Sequence, residues 1–287
     1  GGGNRHRRAH QMRAAAAALA ALEIAVGGRG AALAQSRLVD VRSVSAARPL
    51  HWLALGWRDL VCGQGAALAH GAVLAAFGLV LLAGAHDKFW LLAGAFSGFL
   101  LVAPVLATGL YAISRRLESG ERANLGTAFD AWRPRDGRLV AFGLLLALAG
   151  TGWVLTSAAL ITSFAGEPVR SPADFMRIVV LREDSTLFET WLALGGVLAA
   201  PMFASSVIAI PLLLDRRIGV LAAVLTSWRA VLANPLPLAL WAALIMLLTL
   251  AGMATLMLGL VVVVPWLGHA SWHAYRDLVD ARQLPAA

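Results

Sequence analysis

Apolar and polar positions along the chain follow one layout that occurs three times. A short segment carries apolar residues at the i, i+3, i+4 and i+7 positions of one helix face, ends in a Trp-Arg pair, and is followed by an uncharged apolar run. In the middle copy the amphipathic segment begins at Leu125, and the apolar run over residues 139–161 is long enough to cross a bilayer. The three pairs are Trp57-Arg58, Trp132-Arg133 and Trp228-Arg229. The layout predicts amphipathic helices that each lead into a membrane span.

The apolar runs predict six membrane-spanning helices. They cover residues 66–85, 89–113, 139–161, 190–214, 235–252 and 255–275. No charged residue occurs between Arg229 and Arg276, and as one helix that tract would be roughly 70 Å long. Since a hydrocarbon core is only about 30 Å thick, we expect two helices joined by a tight turn near Gly252.

The three amphipathic segments align without gaps on their Trp-Arg pairs. Apolar residues then share three further columns: Leu50, Leu125 and Leu221; Leu53, Ala128 and Val224; and Ala54, Phe129 and Leu225. The resulting units cover about residues 49–116, 124–217 and 218–279. The predicted fold class is an all-α integral membrane protein with six transmembrane helices in three repeated units, each an interfacial amphipathic helix followed by a helical hairpin.

Two end segments lie outside the repeated units. Residues 1–38 are low in complexity and rich in arginine, alanine and glycine, so we interpret them as a disordered tail. Within them Ala32-Leu33-Ala34 resembles a secretory cleavage site, which leaves a signal segment as the alternative. The membrane domain is predicted over residues 39–279, with a short C-terminal tail over residues 280–287.

The composition favours a membrane protein over a soluble domain. Hydrophobic residues make up 59% of the chain, charged residues 14%, and the mean hydropathy is +0.73, whereas soluble domains carry about 25% charged residues. The net charge of +8 comes from arginines that flank the apolar runs, which indicates contact with anionic lipid headgroups and not nucleic-acid binding. The single cysteine, Cys62, excludes an internal disulfide and a thiolate metal cluster made by one chain.

Most arginines of the predicted domain fall on one side of the membrane under six spans. The positive-inside rule then places both termini in the cytoplasm. Tryptophan at headgroup depth and arginine that reaches phosphate are typical membrane anchors. The predicted anchors are Trp57, Arg58, Trp132, Arg133, Trp228, Arg229, Arg115, Arg116, Arg216, Arg217, Trp272 and Arg276.

Three histidines inside predicted spans are the candidate metal or haem ligands. His269 and His273 are four residues apart and therefore share one helix face, and His70 meets them if the first and third units pack together. No acidic residue beside them completes a usual zinc set. Polar packing near the cytoplasmic boundary is the alternative, and we expect no cofactor.

Predicted spans that are interrupted by proline leave transport as an alternative function. Prolines fall inside predicted spans at Pro104, Pro201, Pro211 and Pro265, and such helices line sites in transporters. However, no Asp or Glu lies deep within a predicted span. The acidic connection over residues 162–189 is expected to be a solvated loop.

The chain has no glycine-rich phosphate loop, no nucleophile elbow and no paired carboxylates within a span, so we predict no enzymatic activity.

Several blocks of the chain resemble a known family. They are Leu50-His51-Trp52, Gly56-Trp57-Arg58-Asp59-Leu60, Gly109-Leu110-Tyr111, Ser114-Arg115-Arg116-Leu117-Glu118, Pro211-Leu212-Leu213-Leu214-Asp215-Arg216, residues 229–235 and residues 268–278. In this order they resemble the predicted bacterial integral membrane proteins known as domain of unknown function 2189. The resemblance implies a multi-span inner-membrane protein without an established activity. Some relatives are labelled putative cytochrome c oxidase subunit I, but the three span histidines are too few for a haem-copper catalytic subunit.

The function expected from the sequence is a non-enzymatic integral inner-membrane protein. An accessory or assembly factor of a membrane complex, such as a respiratory complex, is the leading hypothesis, with lipid and partner membrane proteins as its contacts. A small permease with a site between the repeated units is one alternative. A haem- or metal-binding membrane protein is the other.

Overall fold

The computed structural model describes residues 28–84, 107–132, 137–182 and 186–287, and these residues are almost entirely helical. The helices are α1 (Arg29–Arg37), α2 (Arg48–Cys62), α3 (Gln64–Gly84), α4 (residues 107–118), α5 (Leu125–Trp132), α6 (Arg138–Phe164), α7 (Pro172–Phe175), α8 (Leu187–Ser206), α9 (Ala209–Asp215), α10 (Val220–Ala233), α11 (Pro235–Ala254) and α12 (Leu260–Leu278). A π-helix, Met176–Val180, continues α7. Two short strands, β1 (Asp40–Val41) and β2 (Val279–Asp280), pair antiparallel.

Three helices of the described residues are long and apolar enough to cross a membrane. They are α6, the combined α8 and α9 (Leu187–Asp215), and α11. A fourth span results if α2 and α3 are counted as one broken helix. Together they are also long and apolar enough to cross a membrane, but they meet at 104°. The prediction of an all-helical protein with several apolar spans is thus confirmed. The predicted span over residues 89–113 lies mostly outside the described residues.

All three predicted amphipathic segments are helices, namely α2, α5 and α10. In α2 the aligned residues Leu50 and Trp57 are exposed, whereas Trp52, Gly56 and Leu60 face the protein. Helix α10 behaves similarly, since its small residues are buried and the aligned positions are only partly covered. The shared apolar columns are therefore divided between two sides. Leu50 and Trp57 face outward, where a bilayer interface would lie, whereas Leu53 is buried and the aligned residues of α10 pack against the core.

The closest helix packing occurs where α12 meets α2, α3 and α4, whereas the largest buried apolar cluster is formed mainly by α2, α9, α10, α11 and α12. Glycines permit this approach: a Cβ on Gly71 would lie 2.0 Å from the Val261 carbonyl oxygen, and one on Gly56 would lie 2.6 Å from the Ala270 nitrogen. A Cβ on Gly268 would lie 2.4 Å from a Leu110 methyl group. Small residues at helix contacts are the usual way for membrane helices to gain close packing.

Helix α1 is docked on α10, although the sequence placed residues 1–38 in a disordered tail. Ser36 is buried, and the Arg229 guanidinium donates to the Ser36 carbonyl at 2.6 Å and the Val39 carbonyl at 3.2 Å, so it caps the C-terminal end of α1. In return, Gln35 Oε1 accepts from the Gly219 N–H at 3.0 Å, at the N-terminus of α10. The two helices thus satisfy each other's terminal backbone groups. Alanine-rich composition hid this contact, because its partners lie far along the chain.

The C-terminal residues are also folded against the domain. The Arg217 N–H donates to the Pro285 carbonyl at 2.9 Å, and the Ala287 N–H donates to the Asp215 carbonyl at 3.1 Å. Asp280 on β2 binds the guanidinium groups of both Arg42 and Arg282. Residues 280–287 therefore pack against the C-terminal end of α9.

We predict that Arg229→Met releases α1 without unfolding the spans. The substitution removes the donors that cap α1, so hydrogen exchange of residues 29–37 should rise several-fold while exchange in α11 stays unchanged. Arg217→Met is the matched control, because its exposed side chain can be removed while the backbone bond to Pro285 remains. Equal exchange of residues 29–37 in both variants would contradict the capping role.

We also predict a pH-dependent contribution from Asp280. Hydrogen bonds from Arg282, together with the charge of Arg42, hold the pKa of this carboxyl well below its usual range. A lowered folded-state pKa means that the contribution is present above the unfolded value of about 3.9 and is lost as the pH falls further. Asp280→Asn should therefore lower Tm at pH 7, and its difference from the native chain should shrink below about pH 4. A Tm difference that stays constant down to pH 3 would refute this.

Candidate functional site

Four buried polar side chains meet where α2, α4 and α12 come together. They are Asp59 on α2, Ser114 on α4, and His269 and His273 on α12, with exposed fractions of 4%, 0%, 0% and 9%. Ser114 Oγ lies 2.8 Å from Asp59 Oδ2 and 2.8 Å from His269 Nδ1, and His273 Nε2 lies 2.8 Å from Asp59 Oδ2. The four groups form one continuous hydrogen-bonded chain, called here the Asp-His cluster.

The hydrogen bonds assign the protons of the cluster. A carboxylate only accepts, so the single hydroxyl proton of Ser114 goes to Asp59, and His273 donates its Nε2–H to the same oxygen. Ser114 must then accept from the Nδ1–H of His269. In this neutral tautomer His269 Nε2 carries a lone pair, and that atom is buried without a hydrogen-bond partner in the described structure. Asp59 thereby receives two donors, which offsets the cost of burying its charge.

The local sequence places these groups on facing surfaces. His269 and His273 share a face of α12 because they are four residues apart. The glycine at position 56, one turn before Asp59, lets α12 approach α2, and Gly268 lets it approach α4. The polar side chains consequently lie directly beside the closest helix contacts, where water has no room.

His70 is buried on α3, and its Nδ1 lies 2.6 Å from the Ala66 carbonyl of its own helix. The structure thus buries all three candidate histidines but gives this one a local backbone partner. Within the described ranges, no group of three His, Cys, Asp or Glu side chains has an arrangement that could hold a metal ion. The four side chains of the Asp-His cluster can therefore form hydrogen bonds and bind protons.

Three of the predicted membrane anchors make polar contacts with other side chains of the protein. Trp272 is fully buried, stacks on Tyr111, and directs its Nε1 to Glu118 at 3.3 Å. Arg276 donates to the other oxygen of Glu118 at 3.1 Å, and Arg216 binds Asp215 at 3.1 Å. Trp272 and Arg276 therefore connect the end of α12 to Glu118 at the end of α4, and Arg216 binds Asp215 at the end of α9.

The remaining anchors are on or near the surface. Arg58 and Arg217 are exposed, as is Trp57, whose ring packs edge-on against Trp266. Trp228 is half exposed and donates to Ser205 at 2.9 Å. Arg115 lies 3.8 Å from Asp215, and Arg116 lies 3.8 Å from Glu121. The Trp132 side chain and Arg133 lie outside the described residues.

Asp59 and Ser114 were not singled out from the sequence. Asp59 lies outside the apolar runs, in an amphipathic helix next to Arg58, where it resembles part of a solvated boundary. Ser114 precedes two arginines and looks equally ordinary. The available signal was the spacing of Gly56 and Asp59 on one face of a helix, which combines a close-contact position with a charge.

The fold and the placement of its polar groups define an α-helical integral membrane protein, with apolar helices outside and charged side chains gathered at helix ends. Residues 91–215 match the model of the family described as predicted integral membrane protein (DUF2189). This match confirms the resemblance drawn from the sequence. Comparison with curated proteins and with solved structures finds no match. The Asp-His cluster lies partly beyond the matched residues, since only Ser114 falls within them.

We predict that Asp59→Ala destabilises the domain strongly. The change leaves the Ser114 hydroxyl and the His273 ring N–H buried without an acceptor, at about 1–3 kcal/mol for each group. Thermal unfolding in detergent should show a clear drop in Tm. Asp59→Asn keeps one acceptor oxygen and should lose less, and Asp40→Asn at an exposed position serves as the control. Equal Tm values for Asp59→Ala and the native chain would show that the cluster is not a stabilising element.

Proposed function

We propose that the chain is a non-enzymatic, multi-pass protein of the bacterial inner membrane that serves as an accessory or assembly factor of a membrane complex. We further propose six spans in three repeated units, with both termini in the cytoplasm. The observation that carries the proposal is the contrast between the close packing around α12 and the low burial of the apolar spans. Only 17% of the α6 span, 33% of the α8–α9 span and 22% of the α11 span is buried inside the protein. Such long apolar faces suit contact with lipid and with helices of another membrane protein.

Close packing at the centre supports a structural role over a conduit. The backbones of Ala270 and Val261 at Gly56 and Gly71, and the Leu110 side chain at Gly268, leave no width for a solute at these contacts of α12 with α2, α3 and α4. The polar groups at this contact are buried and hydrogen-bonded to one another. Ion and solute paths need polar groups that face a wet cavity.

The exposed apolar residues of α2 and α10 support the interfacial part of the proposal. Leu50 and Trp57 project outward beside the exposed Arg58, which is the combination expected for a helix lying at headgroup depth. Trp228 has a comparable position on α10. Anionic lipid heads are the proposed contacts of Arg58.

One observation favours a permease as the second candidate. Helices α2 and α3 meet at 104°, and Asp59 near this bend is a buried carboxylate at the contact between the first and third units. Discontinuous helices with ionisable groups form the sites of many transporters. On this hypothesis, proteoliposomes would show solute or proton flux that Asp59→Asn abolishes.

The accessory role is tested by isolating the protein from native membranes in mild detergent. We expect a membrane protein partner at a fixed ratio to the chain. Gly152→Leu and Gly196→Leu add side chains on α6 and α8 where nothing lies within 4 Å, so they should preserve Tm, and at least one should reduce partner recovery.

Gly195→Leu is the internal control for this experiment, because a Cβ there would lie 3.1 Å from the Trp153 ring. It should lower Tm whether or not a partner binds. Isolation of the native chain without any partner, together with unchanged behaviour of the Gly152→Leu and Gly196→Leu variants, would overturn the accessory role.

A further inference from the structure

The connection between α6 and α8 has its own small core. Its buried members are Ile161, Ala165, Ile178, Val179 and Leu187, with Phe175, Phe188 and Trp191 packed against them. Trp191 also donates to Ser157 on α6 at 2.7 Å. The connection is therefore folded against the ends of both helices, although the sequence suggested a solvated loop.

The polar groups of this connection are largely satisfied within it. Asp174 Oδ2 accepts from the Arg170 and Ser171 N–H groups, each at 3.1 Å, and Ser171 Oγ accepts from the Asp174 N–H at 3.1 Å. This reciprocal arrangement is a capping box at the start of α7. Arg182 donates to the Ala165 carbonyl at 2.7 Å, at the end of α6. Satisfied backbone groups of this kind lower the cost of leaving bulk water.

The outer side of the same connection is apolar. Phe164, Met176 and Leu181 are exposed by 68%, 49% and 69%. The Leu181 N–H donates to the Met176 carbonyl at 2.9 Å, one turn of the π-helix away, so the two side chains project from the same side. Arg177 makes ion pairs with Glu167 and Asp174 at 3.3 and 3.7 Å. These three charged side chains are thereby tied to each other.

The position of this apolar patch relative to the bilayer follows from the spans. Helix α6 has 27 residues, or roughly 40 Å at 1.5 Å per residue, which exceeds a hydrocarbon core of about 30 Å. Phe164 is its last residue, and Leu187 begins the next span. Phe164 therefore lies near headgroup depth, at the membrane face opposite to Arg138. The small core joins Ile178 and Val179 to Ile161 and Ala165, so Met176 and Leu181 lie close to the same end of α6.

We propose that this patch inserts into the headgroup region of the leaflet opposite to Arg138, so that the connection lies on the bilayer surface and is not a free solvated loop. The occupant of the patch is lipid, because the patch is continuous with the ends of two spans. The apolar face of an interfacial helix typically reaches about 5–10 Å into the boundary between headgroups and acyl chains. The proposal does not depend on the accessory role.

The test uses single-cysteine labelling in the full chain. In a Cys62→Ala background, Met176→Cys and Leu181→Cys are labelled with the fluorophore NBD and reconstituted into vesicles of phosphatidylethanolamine and phosphatidylglycerol. Glu167→Cys and Arg170→Cys, at exposed polar positions of the same connection, are the matched controls. We expect shallow spin-labelled lipids to quench the labels at 176 and 181 several-fold more strongly than the control labels.

Two outcomes would overturn the proposal. Aqueous iodide that quenches all four labels equally would show a solvated loop. A blue-shifted emission at 176 and 181 without quenching by spin-labelled lipid would show that protein covers the patch, either a partner or a second copy of the chain. Native Tm values for the labelled variants, measured first, exclude an unfolded connection as the cause of iodide quenching.

Discussion

The close approach of α12 to α2, α3 and α4 is the constraint on which the rest of the described structure depends. At Gly56, Gly71 and Gly268 any side chain would overlap a neighbouring helix. Because water is excluded there, Asp59 and its neighbours must satisfy one another, and the Asp-His cluster is the result. Loss of one member would leave its partners in an environment that cannot solvate them.

The three Trp-Arg pairs show how one sequence pattern acquires different roles. Arg58 and Arg229 are both exposed, but Arg58 lies beside an outward apolar face, whereas Arg229 donates to the Ser36 carbonyl and caps α1. The difference arises because α1 lies against α10 and supplies carbonyl acceptors. An arginine at a membrane boundary thus binds whichever oxygens are nearest, and lipid phosphate is only one source of them.

The sequence predicts the helices well because long apolar runs admit few alternatives. It predicts the polar contacts poorly, since Ser114 and His269 are 155 residues apart and Asp59 and His273 are 214 residues apart. The same reason explains the docking of α1, whose contacts with Arg229 span more than 190 residues. The outward patch of the α6–α8 connection was missed for a different reason: residues five apart share a face only in a π-helix, and a standard helical period separates them.

The distances along the chain between these contacts have a consequence for synthesis. Helices α1 and α2 are synthesised well before their partners on α10 and α12. Asp59 consequently lacks His273 as a hydrogen-bond partner until all of the middle spans have been synthesised. The contacts of α12 with α2 can therefore form only after those spans, which makes this closure a late step in the folding of the described residues.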